Sequence, residues 1–143
     1  MVDAVNATEV AINLLWCVPG KVGGSEQYLT RQLAGLCGRS EFALHAYVPQ
    51  GFIAAHSELA DVVQMHEMSS TAHNRAARIL FENTWLNART KSAQLVHHGG
   101  GTLPLRGNNN TLLTVHDVQY LTYPEYFSAV RLRYLKAMMP RSV

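Results

Sequence analysis

The stretch VAINLLWCVPGKVGGSEQYL, residues 10–29, decides the fold class of this chain. Residues 10–18 form a short, nearly continuous apolar run, which is typical of a strand buried on both faces of a sheet. A loop containing glycine follows, and residues 25–37 then carry apolar side chains at helical spacing. A glycine-rich loop between a strand and a helix is where nucleotide-binding proteins hold phosphate groups.

The glycine loop fits neither of the two common phosphate-binding motifs. The P-loop places lysine after its second glycine, whereas Lys21 precedes the pair Gly23-Gly24. The dinucleotide motif G-x-G-x-x-G needs a different spacing from the one found here. Paired glycines nevertheless let the backbone approach a ligand closely, and the next helix offers free N–H groups to a diphosphate. Glu26 lies in that first turn and would repel a phosphate unless it points aside, so a plain strand-to-helix turn remains an alternative.

Predicted strands and helices alternate along the rest of the chain. The strands are residues 42–48, 62–68, 94–98 and 111–115, and the later helices are residues 71–91 and 128–139. The first helix is predicted to end near Gly38 and the last at Pro140, and 107–110 is a turn. This alternation predicts one domain over residues 1–143, a Rossmann-like α/β three-layer sandwich with a mostly parallel sheet. The helix over 25–37 should bury Tyr28, Leu29, Leu33 and Leu36, and that over 71–91 should bury Ala72, Ala76, Ile79, Leu80 and Leu86.

Composition narrows the class of protein. The chain is 48% hydrophobic and 15% charged, which is typical of a globular domain. A net charge of +2 without basic blocks argues against nucleic acid as a partner. Cys17 and Cys37 give no disulfide framework, which favours a reducing, cytoplasmic setting. The apolar run over 10–18 is too short to span a bilayer and has no basic flank typical of a signal peptide.

Three unusual sequences follow predicted strands. They are Gly23-Gly24, the pair His97-His98 with the three glycines after it, and His116-Asp117. The carboxyl ends of parallel strands share one edge of the sheet, so these sequences are predicted to form one site. His116 could polarise a substrate hydroxyl, or it could only cap a strand end. Consecutive histidines on a strand point to opposite faces, so at most one of His97 and His98 can join the site, and we expect no metal.

The last predicted helix is basic and amphipathic. Arg131, Arg133, Lys136 and Arg141 alternate with leucines and methionines. Such a helix can lie on an acidic membrane surface. More often it packs its apolar side on a core and leaves its basic side in solvent, and we favour that interpretation.

Three motifs together resemble a known family. VPGKVGGSEQYL, LVHHGGGTLPL and LLTVHDVQYLTYPEYFSAVRLRYLKAMMPRSV are similar, in this order, to segments of the N-terminal domain of family-four glycosyltransferases. The resemblance covers the chain from about residue 10 to residue 143. It implies one half of a GT-B architecture, in which two Rossmann-like domains face each other across a cleft.

The resemblance also implies a reaction and a set of site residues. The enzymes transfer a sugar from a nucleotide-sugar donor to a sugar or lipid-linked acceptor with retention, and they generally use no metal or other cofactor. Gly23 and Gly24 would lie against the donor diphosphate, and His116 beside the transferred sugar as the catalytic residue. His98 and Asp117 would contact the acceptor or the sugar. A lipid-linked acceptor would bring the cytoplasmic protein to the inner face of the membrane.

One part of the family pattern is missing. The C-terminal donor domain of these enzymes carries two glutamates separated by seven residues, and no pair of glutamates in this chain has that spacing. We therefore expect the chain to be the acceptor-side domain or a fragment, inactive without a donor domain. A non-catalytic Rossmann-like module that binds a nucleotide, a sugar or a protein is the alternative. If a donor domain docks at the carboxyl edge, Tyr120, Tyr123, Tyr126 and Phe127 should be exposed there.

Overall fold

The computed structural model describes residues 7–68, 74–107 and 110–143, and these form a single parallel β-sheet with helices on both faces. The strand order is β3-β2-β1-β4-β5, and every neighbouring pair is parallel. The strands are β1 (Thr8–Asn13), β2 (Phe42–Val48), β3 (Gln64–Glu67), β4 (Leu95–His98) and β5 (Thr111–Leu113). The predicted Rossmann-like α/β sandwich is confirmed.

Six α-helices accompany the sheet in the described part of the chain. They are α1 (Gly24–Gly35), α2 (Phe52–Ala55), α3 (Arg75–Phe81), α4 (Asn87–Arg89), α5 (Gln119–Thr122) and α6 (Ala129–Ser142). A π-helical turn, Glu82–Leu86, joins α3 to α4 without a break. In that turn the side chains of Asn83 and Thr84 bond to the carbonyls of Ile79 and Leu80, which loosens the regular helical ladder. No described helix is long and apolar enough to cross a membrane.

Two apolar cores lie on opposite faces of the sheet. Val10 and Ile12 of β1 point into the first core, where they meet Leu29 and Leu33 of α1. Ala11 points into the second core, which includes Leu86 of the π-helical turn. Because the middle of β1 is covered on both faces, its residues Val10, Ala11 and Ile12 are all apolar. The sheet is therefore the middle layer of three.

The first strand is shorter than the apolar run predicted. We expected a strand over 10–18, but β1 ends at Asn13 because the Asn13 side chain accepts a hydrogen bond from the backbone of Leu15. A turn closed by the bond from Cys17 N to Leu14 O follows. Leu14, Leu15 and Cys17 stay buried in this turn. Burial explains why the apolar run continues beyond the strand.

The remaining boundaries agree with the sequence to different degrees. β2 matches the predicted strand over 42–48, whereas β3, β4 and β5 are shorter than predicted. The helix predicted over 71–91 is observed over 75–89. Residues 71–73, which include Ala72, lie outside the described residues. Residues 108 and 109 of the predicted turn also lie outside them. α1 ends at Gly35, three residues before Gly38, where φ is 77°.

Three predicted core side chains, those of Tyr28, Ala76 and Leu80, face solvent instead. Tyr28 is 53% exposed and Leu80 is 62% exposed. On α1 the buried positions are Glu26, Leu29, Thr30 and Leu33, so Tyr28 lies beside the buried stripe rather than on it. The buried stripe includes a carboxylate, and an apolar periodicity cannot find a charged position of this kind.

Pro140 was predicted to end the last helix, but it lies inside α6. Proline removes a backbone donor from the last turn. Two side chains bond to other carbonyls of this turn, since Arg141 donates to the carbonyl of Ala137 and Ser142 donates to that of Met138. Met139 is buried, so this last turn packs against the domain.

Candidate functional site

The candidate site is a cavity at the carboxyl edge of the sheet, where the strand order reverses. From β1 the chain builds the sheet toward β2 and β3, and β4 returns to the other side of β1. The loops after β1 and β4 therefore diverge, and a crevice of this kind is the usual ligand site of open α/β sheets. A cavity of 570 Å³ lies there, lined by Trp16 after β1, Gly100 after β4 and His116 after β5.

The glycines after β4 are required by close packing. A Cβ atom at Gly99 would lie 2.6 Å from Cδ1 of Leu29, and one at Gly100 would lie 2.7 Å from Cδ1 of Trp16. A real side chain does not fit at such distances. The backbone after β4 thus lies directly against α1 and the indole of Trp16, which forms a wall of the cavity.

His116 has a defined tautomer. Its Nε2 atom lies 2.9 Å from the carbonyl oxygen of Gly99. A carbonyl can only accept, so Nε2 carries the proton and Nδ1 of the neutral ring is an acceptor. The ring packs on Trp16 at 5.7 Å and meets the edge of Tyr28 at 5.9 Å between centroids. His116 lies three residues beyond β5, which is an edge strand of the described sheet.

Asp117 also lines the cavity, but one of its oxygens is already used. Its Oδ1 atom accepts a hydrogen bond of 3.0 Å from the backbone of Gln119, the first residue of α5. Among the described residues that line the cavity, Asp117 is the sole carboxylate. It therefore shapes the loop after His116, and contact with a sugar stays a prediction.

The glycine loop borders the cavity. Lys21, Val22 and Ser25 line it, whereas Gly23 and Gly24 are not among the lining residues. Gly23 has a φ of 63°, a conformation that favours glycine, and no described atom lies within 4 Å of a Cβ built at either glycine. Their backbone is open to approach. A contact with a donor diphosphate stays a prediction.

Glu26 points away from the cavity. Its two carboxylate oxygens lie 2.7 Å from Nε2 of His56 and 2.9 Å from the backbone nitrogen of Gly20. The residue is buried, and it fixes the start of the glycine loop from the side of the first core. The repulsion that its sequence position suggested is thereby avoided. Burial, together with the Glu26 charge, raises the pKa of the Cys17 thiol to about 12, so this thiol stays protonated.

His98 is buried rather than open to a ligand. It is 2% exposed and is not among the residues that line the cavity. Its Nδ1 atom lies 3.1 Å from the amide nitrogen of Asn13, which donates to it. Burial, with a smaller contribution from His97, lowers the pKa of His98 to about 4. His97 bonds instead to the hydroxyl of Thr114 at 2.7 Å, consistent with opposite faces for the two histidines.

A buried polar chain runs from His98 to the cavity. The amide nitrogen of Asn13 also lies 3.4 Å from Oε1 of Glu82, and that oxygen lies 3.6 Å from Nε of Arg78. Burial raises the pKa of Glu82, while Arg78 and the Asn13 hydrogen bond oppose this shift. Among the described residues, the buried Nε of Arg78 and the buried Nε1 of Trp16 have no hydrogen-bond partner. Both residues line the cavity.

Positive charge dominates the cavity wall. Lys21, Arg75, Arg78 and Arg131 line it. The sequence motifs include Lys21 and Arg131 but not Arg75 and Arg78. Their spacing of three residues places both on one side of α3, which is a signal the sequence does contain.

The aromatic residues near the cavity differ from the prediction in part. Tyr123 and Tyr126 are exposed and stack on each other at 5.6 Å. Tyr120, which we expected to be exposed, is 7% exposed, because its ring is taken into the cavity wall. Phe127 is half-buried beneath the guanidinium of Arg131. The exposed patch is therefore smaller than predicted.

The described residues contain no cluster of three or more histidine, cysteine or acidic side chains suited to a metal ion. Comparison with protein-family models, with curated proteins and with solved structures finds no match to this chain.

Gly100→Ala should destabilise the domain by displacing Trp16. Overpacking of this kind costs about 1–3 kcal/mol. The control is Gly107→Ala, where no described atom lies within 4 Å of the added carbon, and it should change stability by less than about 0.5 kcal/mol. Urea unfolding measures both variants. Equal stability of the two variants would contradict the close packing described for Gly100.

His98 should make the domain less stable in mild acid. The unfolded state binds a proton near pH 6.5, whereas folded His98 does so only near pH 4. The free energy of unfolding therefore keeps its full value above pH 6.5. It falls by about 3 kcal/mol as the pH decreases to about 4, because the unfolded state gains the proton first. Unfolding free energies of wild type and His98→Gln between pH 7 and pH 4 measure it. The same pH dependence in both proteins would show that the buried histidine does not govern this loss.

Proposed function

We propose that this chain is the acceptor-side domain of a retaining glycosyltransferase that resembles family four. The observation that carries the proposal is the cavity at the strand-order reversal, where His116, the glycine loop and several cationic side chains meet. A nucleotide-sugar combines a charged diphosphate with a hydroxyl-rich ring. A wall that offers cations, aromatic surfaces and an acceptor nitrogen suits both parts of such a ligand.

The donor diphosphate would lie at the glycine loop. Gly23 and Gly24 leave the backbone open, and Lys21 and Ser25 extend toward the same cavity. α1 begins at Gly24 and runs for 12 residues, so its first turn carries free N–H groups and a positive dipole end. Glu26 is held by His56 and Gly20 and does not line the cavity, so its carboxylate is turned away from this approach.

His116 would bind the sugar or the acceptor. With Nε2–H donated to Gly99, the remaining Nδ1 can only accept, so it suits a ligand hydroxyl group. Such a contact can strengthen as charge develops at the anomeric carbon. Asp117, the next residue, retains one carboxylate oxygen that could take a second hydroxyl.

A second domain would complete the site. Departure of a nucleoside diphosphate needs its negative charge to be stabilised, and Lys21 with two backbone amides supplies only part of this. Tyr123 and Tyr126 provide an exposed aromatic surface at the cavity margin where a donor domain could dock. The nucleotide-sugar is a substrate in this proposal, and no cofactor is required. We place the protein in the cytoplasm, with Arg133 and Lys136 on α6 available for the inner membrane surface.

A non-catalytic binding module is the second candidate. Apolar side chains are exposed close together in the chain after β5, namely Val115, Val118, Leu121, Tyr123 and Tyr126. Such a surface also suits a protein partner. This candidate requires binding of a nucleotide, a sugar or a protein without any transfer.

His116→Ala separates these possibilities. In the protein that joins this domain to a donor domain, the variant should lower sugar transfer by about 10²–10⁴-fold, because it loses a contact to the reacting sugar. Transfer of labelled sugar from UDP-, GDP- and ADP-sugars measures the rate, and the unfolding midpoint shows whether the fold is kept. His45→Ala, on β2 and outside the cavity lining, is the control for a change of histidine. A His116 variant that melts early but transfers at the wild-type rate would contradict the assignment, and binding without transfer by the wild type would favour the second candidate.

A further inference from the structure

The cationic side chains of the cavity exceed the acidic groups available to pair with them. Arg78 has a carboxylate neighbour in Glu82, at 3.6 Å. Within the described ranges, Arg75, Arg131 and Lys21 form no ion pair, although all three line the same cavity. A cavity wall with unpaired guanidinium groups is suited to an anionic ligand.

Two of these guanidinium groups lie over aromatic rings. The Cζ atom of Arg75 is 5.7 Å from the centre of the Tyr134 ring, and that of Arg131 is 4.9 Å from the centre of the Phe127 ring. The hydroxyl of Tyr134 is held by Thr102 at 3.2 Å, so the ring under Arg75 is anchored to the loop after β4. An arginine stacked on a ring keeps the N–H groups at its edge free for a ligand.

The same groups repel one another. Burial lowers the pKa of Arg75, and the nearby charges of Arg78 and Arg131 lower it further. The three side chains come from α3 and α6, so two separate elements bring their charges to one place. A bound dianion would relieve this repulsion. Phosphate suits the site better than a carboxylate, because it carries more charge and offers an oxygen to each guanidinium.

We propose that Arg75, Arg78 and Arg131 bind a phosphate group on the acceptor substrate, so that the acceptor is a phosphate ester carrying free hydroxyl groups. This inference rests on the proposed function, which places the donor diphosphate at the glycine loop. It assigns the arginines on α3 and α6 to the second substrate. The phosphate ester can belong to a small sugar phosphate or to a lipid headgroup, and both present the same chemistry to the arginines.

The test compares three forms of the protein. Arg75→Gln/Arg131→Gln removes the two unpaired guanidiniums, and the control Arg31→Gln removes an exposed charge from α1, outside the cavity lining. Calorimetry with glucose 6-phosphate, inorganic phosphate and glucose measures binding of the small ligands. Flotation with vesicles of phosphatidylcholine, with and without phosphatidic acid, measures binding of a lipid phosphate. Unfolding midpoints confirm that each form is folded.

The inference predicts that wild type binds glucose 6-phosphate, or vesicles with phosphatidic acid, in preference to glucose or plain vesicles. Binding should weaken by about tenfold or more in the double variant and stay near wild type in Arg31→Gln. Preference for glucose 6-phosphate would identify a small acceptor, and preference for phosphatidic acid a lipid one. Absence of binding to both phosphate probes, or equal losses in the two variants, would overturn the inference.

A separate titration keeps this inference distinct from the proposed function. UDP-glucose, GDP-mannose and ADP-glucose should bind the double variant as they bind wild type, because the glycine loop is unchanged. Loss of nucleotide-sugar binding in the double variant, with glucose 6-phosphate binding retained, would overturn the inference by assigning the arginines to the donor. That result would leave the proposed function standing.

Discussion

The hydrogen bonds of one buried amide, that of Asn13, hold the candidate site in place. Its oxygen accepts from the backbone of Leu15 and so ends the central strand. Its nitrogen donates toward His98 on β4 and toward Glu82 on the π-helical turn. One side chain therefore links the two strands between which the sheet order reverses and the helical segment that covers them. An unsatisfied buried amide is costly, so these three partners are fixed together.

The cavity wall is positively charged because nearby acidic side chains are bonded to other groups of the protein. Glu26 is held by His56 and Gly20, and Glu82 lies in the buried chain with Asn13 and Arg78. One carboxylate oxygen of Asp117 accepts a hydrogen bond from the backbone of Gln119, the first residue of α5. Glu26 and Glu82 are thus occupied and one oxygen of Asp117 is used, while Lys21, Arg75 and Arg131 form no ion pair in the described part of the chain. A net charge of only +2 conceals this local excess of positive charge.

The fold could be predicted because β1 is buried on both faces, and a strand of this kind requires consecutive apolar residues, which the sequence shows. The end of β1 was harder to predict. Leu14, Leu15 and Cys17 are as apolar as the strand, but they lie in a turn that follows the hydrogen bond from the Leu15 backbone to the Asn13 side chain. His116 and Lys21 were found because each follows or borders a strand end. Arg75, Arg78 and Trp16 were missed because their importance depends on contacts between distant elements. His98 was expected to be open to a ligand, yet Asn13 holds it inside the domain.

Chemical-shift mapping of the amide resonances tests the central claim most directly, namely that a nucleotide-sugar binds where the strand order reverses. The measurement is a titration of the 143-residue chain with UDP-, GDP- and ADP-linked sugars. We expect one of them to shift the amide resonances of the glycine loop around Gly23, of the loop after β4 around Gly100, and of His116. The amides of β3 and of the helix end near Gly38 should stay unchanged. Shifts confined to those distant regions, or no shift with any nucleotide-sugar, would contradict it.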